Sequence, residues 1–348
     1  AMEDIDTIIP SLDPEVYVFS KNKDRLLQRG ITVVAPEPEI VFSLIDKSKT
    51  LAAAERVGFP IPISHNPKSL DEVEAIIANY PSPWVIKPRI SAHRVGVEYA
   101  ADATDLRRLY LEACENQPDP LIQQYIPGTD RCHYYITVDR HHNIISLLQP
   151  KPIYVWVDGV STSIKSVLSD VDGPLIPELH KLIRELKLWG SYTVQTKVDP
   201  HDNVPRLLEI NPRFGHHLWY RTELGVNEPL ICTRLARYEE PNTNTTFPVG
   251  VALLDPYHDL FYFLESCVRK PKVELEETPQ TPLALLRLHK EQYLNRRRKI
   301  FCPEFRHFGS DPYPCLRAYA FKIQNRFIRP AFGAIRNRIA ARFPPALE

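Results

Sequence analysis

The spacing of apolar positions switches repeatedly between a period of two and a period of three to four, as in a chain that mixes strands with helices. Residues 5–9 (IDTII) and 31–36 (ITVVAP) read as short strands around a helix over 13–29 that stops at Gly30. This is about half of a dinucleotide-type α/β domain. A second helix runs from Asp46 to Val57, closed by Gly58 and followed by Pro60 and Pro62. Ser69 and Glu72 have the spacing of a capping box and open a helix through about Ala78. PWVIKP (83–88) reads as a strand with its lysine near the end, 104–115 as a helix, and LIQQYIPG (121–128) as a strand entering a turn. YYITVD (134–139) and NIISLL (143–148) flank Arg140, His141 and His142 as a hairpin. An amphipathic helix over 176–188 precedes a second hairpin, YTVQTKVD (192–199) with PRLLEINP (205–212), and a helix over 227–238. Past Pro248 the pattern weakens. It predicts a helix over 255–270, a Pro- and Glu-rich linker over 271–282 and a basic helix over 283–299. An aromatic, Pro-rich loop over 300–316 and a basic amphipathic helix over 317–340 follow.

Charge changes this picture. The 348 residues carry 43 basic and 43 acidic side chains. From Arg287 onward, however, there are 14 Lys/Arg against 4 Asp/Glu, which leaves 29 against 39 in residues 1–286. An acidic body with a basic tail concerns surfaces and partners rather than fold. Proline (33) outnumbers glycine (12), the reverse of ordinary usage. No apolar run reaches the roughly 18 residues of a membrane span, and no charged-then-apolar leader opens the sequence. The six cysteines have no CxxC spacing, so they read as reduced thiols and the expected compartment is the cytoplasm.

The chemistry concentrates in VQTKVDPHDNVPRLLEINPRFG, residues 194–215. Alternation puts Glu209 and Asn211 on one face of a strand, with Arg213 next along it. Gln195, Lys197 and Asp199 share a face of the partner strand. One or two carboxylates plus neutral amide oxygens suit a Mg²⁺ ion that also binds nucleotide phosphates. Arg213 can meet a phosphate or acyl phosphate with its guanidinium fork.

On LLEINPRF, with Gln195 fourteen residues before Glu209, the sequence resembles the ATP-grasp superfamily, and is most similar to its carbamoyl-phosphate-synthase-like carboxylate–amine ligases. Further segments match in order and spacing. IDKSKTLAAAERVGFPIP (45–62) resembles the helix whose lysine contacts phosphate, here Lys47. WVIKPR (84–89) resembles the strand whose lysine bridges the phosphates, here Lys87. LIQQYIPGTD (121–130) is similar to the hinge that bonds adenine through its backbone, near Gln123, Gln124, Tyr125 and Ile126, with Asp130 in the ribose position. The resemblance makes Gln195, Glu209 and Asn211 the metal positions and Arg213 the phosphate-stabilising arginine, with Lys87 beside it in catalysis. Lys151, Lys165 and the VDGVSTS segment (157–163) fall where the family often places substrate or phosphate contacts. His216 and His217 follow Arg213 closely and could touch substrate, but adjacent histidines point to different sides of a strand, which favours structural or surface roles.

The resemblance implies an α+β chain in which two subdomains enclose ATP. A truncated pre-ATP-grasp α/β piece (1–45) would precede the ATP-grasp domain (46–265), and a linker with a basic helical extension (266–348) would follow it. The implied reaction is amide formation between a carboxylate and an amine through an acyl phosphate, releasing ADP and phosphate, with ATP and Mg²⁺ (or Mn²⁺). The small-molecule carboxylate and amine are the implied partners, and a homo-oligomer is compatible. The basic tail could add an acidic carrier protein, an anionic membrane surface or a nucleic acid. Two departures favour an alternative, a nucleotide-binding or scaffolding protein with little catalysis. The phosphate loop PRISAHRVGV (88–97) has Gly96 as its only glycine, so Arg89, His93 and Arg94 would have to replace backbone contacts. The N-terminal α/β piece is also short.

Overall fold

The computed structural model describes residues 5–91, 95–127, 133–152, 164–168, 175–215, 217–241, 246–255 and 299–301. The chain divides into two compact units, one of residues 1–153, 164–251 and 273–278, the other of 154–163, 252–272 and 279–348.

The first unit opens with β1 (Thr7–Ile8), α1 (Asp13–Lys21), α2 (Lys23–Leu27) and β2 (Thr32–Val33). The two strands pair in parallel, Thr7 opposite Thr32, as a strand–helix–strand piece requires. One helix was expected over 13–29. It breaks at Asn22, whose backbone leaves the helical region and whose side-chain amide donates to the Val18 carbonyl at 2.8 Å. Asparagine competes in this way with helix continuation. A helix that the spacing did not suggest, α3 (Pro38–Ile45), begins on a proline and buries Val41 and Leu44. Val16, Val33, Ala35 and Val41 form the core of this piece.

Next come α4 (Lys47–Arg56), β3 (Ser64–His65), α5 (Leu70–Asn79), β4 (Trp84–Lys87), β5 (Glu98–Ala100), α6 (Ala103–Asn116) and β6 (Leu121–Gln124). Asp46, Ser69 and Asp102 cap α4, α5 and α6 by accepting the backbone N–H groups of Ser48, Glu72 and Asp105. The strands form an antiparallel sheet in the order β3-β6-β4-β5. One face buries Trp84, Ile86 and Ile122 against Val73 and Ile76 of α5 and Leu106 of α6.

A larger sheet follows, with β7 (Tyr134–Val138), β8 (Ile144–Pro152), β9 (Ile164–Leu168), α7 (Ile176–Glu185), β10 (Gly190–Asp199) and β11 (Val204–Asn211). Its strands lie in the order β11-β10-β7-β8-β9, each antiparallel to its neighbour. The helices α8 (Leu218–Glu223) and α9 (Glu228–Ala236) come after it, α8 unexpected from the sequence. Alternation sorts the residues of the sheet. Tyr134, Ile136, Val138, Tyr192, Val194, Leu207 and Ile210 enter a core with Leu179, Leu182 and Ile183 of α7 and Ala53 and Ala54 of α4. Tyr135, Thr193, Gln195, Glu209 and Asn211 therefore fall on the opposite face.

A bulge interrupts this order once. Gln195 pairs with Glu209, but Thr196 pairs with Leu207, so Leu208 is an extra residue on β11. Bulges re-aim side chains. Here Leu207 and Ile210 both reach the core while Leu208 and Glu209 both line the opposite cleft.

Of the second unit, the described part includes β12 (Ala252–Leu254) and β13 (Lys299–Phe301), which pair in parallel with Ala252 opposite Lys299. Residues 299–301 are thus a strand where a helix running into a loop was expected. The helices expected beyond Asp255, and the rest of the basic extension, lie outside the described residues.

Gly215 fixes how closely the chain leaving β11 can approach the sheet. A Cβ built there would lie 2.3 Å from Thr193 Oγ1 and 2.5 Å from Tyr135 Cε1. Gly215→Ala is therefore predicted to cost about 1–3 kcal/mol by overpacking. Urea denaturation would read this as a lower midpoint at unchanged slope.

Candidate active-site cleft

A cavity of about 180 Å³ opens between the smaller sheet and the β10–β11 hairpin, within the first unit. Val85 and Lys87 of β4 reach it, being two residues apart on one strand, with Val97 just before β5 and Tyr99 on it. Gln123, Gln124, Tyr125 and Ile126 form one edge. Gln195, Lys197, Leu208 and Glu209 form the facing wall, and Lys47, Ser91 and His133 complete the lining.

Lys47 is fixed by its backbone as well as its side chain. It is the first residue of α4, and its N–H donates to the Arg89 carbonyl at 3.0 Å. Asp46 pairs with Ile90 in an isolated bridge. The start of α4 is thereby tied to the segment that leaves β4. The Lys47 ammonium donates to the Ser91 carbonyl at 2.7 Å and lies 3.6 Å from Glu209 Oε2.

Lys87 donates to Gln123 Oε1 at 2.9 Å, and Gln123 Nε2 donates in turn to Ser64 Oγ at 2.8 Å. Burial pulls the Lys87 ammonium down to about 8 from its usual 10.5, helped by the charge on Lys47 and opposed by Glu209. Glu209 accepts from Asn211 Nδ2 at 3.3 Å, and Gln195 stands directly opposite it across the ladder.

At the other end of the cleft, the Gln124 N–H donates to the Ile63 carbonyl at 2.8 Å and the Tyr125 N–H to the Pro83 carbonyl at 3.2 Å. Lys197 donates to the Ile126 carbonyl, and its ammonium lies 5.0 Å from the centroid of the Tyr125 ring. Alternation from Gln195 already put Lys197 on this face, yet no role was assigned to it. Tyr99, which stacks edge-on against Tyr125 at 5.8 Å, belongs to a strand the sequence did not reveal. Lys47, Lys87 and Lys197 face Glu209 alone as a carboxylate among the lining residues. A polyanion is the ligand class that such a cleft attracts.

Lys47, Lys87, Gln123, Gln124, Tyr125, Ile126, Gln195 and Glu209 are thus brought together, with Asn211 bonded to Glu209. Two expected residues are not at the cleft. The Arg89 guanidinium pairs with Asp46 at 3.1 Å and Asp119 at 3.5 Å. Asp46 is nearly fully buried there and also caps α4, so Arg89 neutralises a structural carboxylate rather than presenting charge to the cavity. Arg213 lies past the end of β11, where its Nε donates to Asp13 Oδ1 at 3.0 Å. His217 is buried, while Asp130, His93, Arg94, His216 and residues 157–163 lie outside the described residues. Lys151 stands opposite Lys165 on the β8–β9 ladder.

Residues 46–217 match the sequence model of the family described as the carbamoyl-phosphate synthase L chain, ATP binding domain. Solved structures share the fold. The biotin carboxylase domain of 2-oxoglutarate carboxylase from Hydrogenobacter thermophilus, in complex with MgADP, ADP and bicarbonate, superposes with a TM-score of 0.59 at 15% identity over 71% of this chain and 57% of its own. Biotin carboxylase from Campylobacter jejuni superposes with a TM-score of 0.60 at 14% identity over 71% and 58%. N5-carboxyaminoimidazole synthetase from Staphylococcus aureus gives 0.55 at 12% over 71% and 64%. The chain thus spans less than two thirds of the length of these structures. Residues 46–217 carry the match to the family model, and the fold is the ATP-grasp fold, with the smaller and larger sheets as its two subdomains. Among the described residues, no helix is long and apolar enough to cross a membrane.

A buried lysine held near 8 is a cost to the folded chain. Between about 8 and 10.5 the unfolded chain holds a proton the folded one has released, so this cost is fully present below about 8 and fades as pH rises toward 10.5. Lys87→Met is therefore predicted to raise the melting midpoint at pH 7 by a few degrees. The gain should shrink when melting is followed at pH 10.

Proposed function

We propose that the chain is an ATP-dependent carboxylate–amine ligase that forms an amide through an acyl phosphate and releases ADP and phosphate. The observation that carries this reading is the convergence of Lys47, Lys87, Gln195 and Glu209 on one cleft of an ATP-grasp fold. In this reading the base lies against Val85, Tyr99, Tyr125, Leu208 and the backbone near Ile126. The triphosphate runs toward Lys47 and Lys87, whose charges offset its own.

Glu209, Gln195 and Asn211 are the residues that would hold Mg²⁺. One carboxylate with two amide oxygens fits an ion that takes oxygen ligands and shares them with substrate phosphates. Among the described residues no cluster of three His, Cys, Asp or Glu offers a different kind of metal site. When bound, the ion would neutralise charge on the β- and γ-phosphates. Glu209 lies 3.6 Å from Lys47, which balances the carboxylate's charge at the position where the ion would be held.

Phosphoryl transfer needs positioning and charge neutralisation more than covalent chemistry from the protein. Lys47 is pinned at its amide and its ammonium, and Lys87 is oriented by Gln123 and, through it, Ser64. Both lysines are therefore preorganised before substrate arrives. Arg213 does not line the cavity, but it lies two residues beyond Asn211, and in this reading it would stabilise the transferring phosphoryl group and the tetrahedral intermediate where they extend past the end of β11. The amine displaces phosphate, and no side-chain nucleophile is required.

A screen of amino acids and small carboxylic acids for ADP release tests the reading. At least one pair should release ADP, and Glu209→Gln should lower the rate at least 100-fold while the melting curve stays cooperative. AMP and pyrophosphate as products would sink the acyl-phosphate route. Tight Mg-ATP binding without turnover across the whole panel would favour the scaffold reading instead.

A further inference from the structure

Helix α1 carries two acids in its first turn, Asp13 and Glu15. Only one of them serves the helix. Glu15 Oε2 accepts from the backbone N–H groups of Ser11 and Leu12, at 3.1 and 3.2 Å, and so caps the N-terminus. Asp13 is left over, yet it does not face water as a surplus first-turn acid would. It is 5% exposed and reaches across 200 residues of sequence to Arg213, with Oδ1 at 3.0 Å from Nε.

The geometry of that contact is selective. It uses Nε of the guanidinium rather than its terminal fork. Nη1 makes one long bond, 3.4 Å, to the Phe214 carbonyl, and Nη2 makes none among the described residues. About a fifth of the Arg213 side chain remains exposed. An arginine gripped at Nε loses most of its rotational freedom while keeping the two terminal nitrogens for an incoming anion. A carboxylate that merely neutralised the charge would be expected to engage the fork itself.

We propose that Asp13 is a positioning residue for Arg213, and that the N-terminal strand–helix–strand piece thereby supplies part of the reaction site. The inference rests on the reading of Arg213 as the group that meets the acyl phosphate. It gives a function to the N-terminal strand–helix–strand piece. The core of Val16, Val33, Ala35 and Val41 then serves to aim one carboxylate.

The test uses the full chain loaded with Mg-ADP and acetyl phosphate as the probe, followed by titration calorimetry. Wild type should bind acetyl phosphate, and Arg213→Met should weaken it at least tenfold. Asp13→Asn should weaken it about five- to twentyfold while Mg-ADP affinity stays within twofold, and Asp13→Glu should recover part of the loss. The double variant should be no weaker than Arg213→Met alone, because Asp13 acts only through Arg213. Hydrogen exchange on the wild-type chain needs no variant, and acetyl phosphate should slow exchange of the α1 amides. No binding by wild type, or binding indifferent to Arg213→Met, removes the reading of Arg213 and this inference with it. Binding that depends on Arg213 but not on Asp13, additive losses in the double variant, or unchanged α1 exchange overturns the inference alone.

Discussion

Lys47, Lys87 and Glu209 share one corner of the cleft, where both lysines are buried and two ammonium groups face one carboxylate. Such a cluster is not a stabilising device. Burial already drags Lys87 toward neutrality, and Lys47 pushes it the same way. The rest of the first unit is arranged to sustain this arrangement. Arg89 and Asp46 anchor the start of α4, Gln123 and Ser64 hold Lys87, and the register of β10 against β11 sets Gln195 opposite Glu209. An anion with several charges relieves the excess of positive charge, so the polar network is best understood as preorganised for its ligand.

Two different kinds of element meet at the cleft. The larger sheet supplies carboxylate and amide oxygens from a hairpin whose other face is buried in the main core. The smaller sheet supplies Lys87 and the backbone edge from Gln123 to Ile126. Lys197 spans them, since it stands on β10 and bonds the Ile126 carbonyl. That bond couples the edge from Gln123 to Ile126 to the strand that carries Gln195.

Much of this was legible in the sequence because strand alternation is a rigid rule. Glu209 with Asn211, and Gln195 with Lys197, could be put on shared faces without any structure. The strand that carries Lys87 and the helix that opens near Lys47 were likewise visible. What escaped had no local signal. Leu208 enters the cleft through a bulge, which the pattern does not encode. Strand β5 is three residues long, too short to show a period. The pairing of Arg89 with Asp46 and Asp119, and of Arg213 with Asp13, joins residues far apart in sequence. Spacing identified the arginines but could not tell which carboxylates would claim them.

In the proposed function, Glu209 and its two amide neighbours form a Mg²⁺ site shared with a bound nucleotide. The most direct measurement is the affinity of the full chain for ADP as a function of Mg²⁺ concentration, for wild type and Glu209→Gln. Mg²⁺ should tighten ADP binding at least tenfold in wild type and have little effect in the variant. Equal affinity with and without Mg²⁺ in wild type, or an undiminished Mg²⁺ effect in Glu209→Gln, would contradict it.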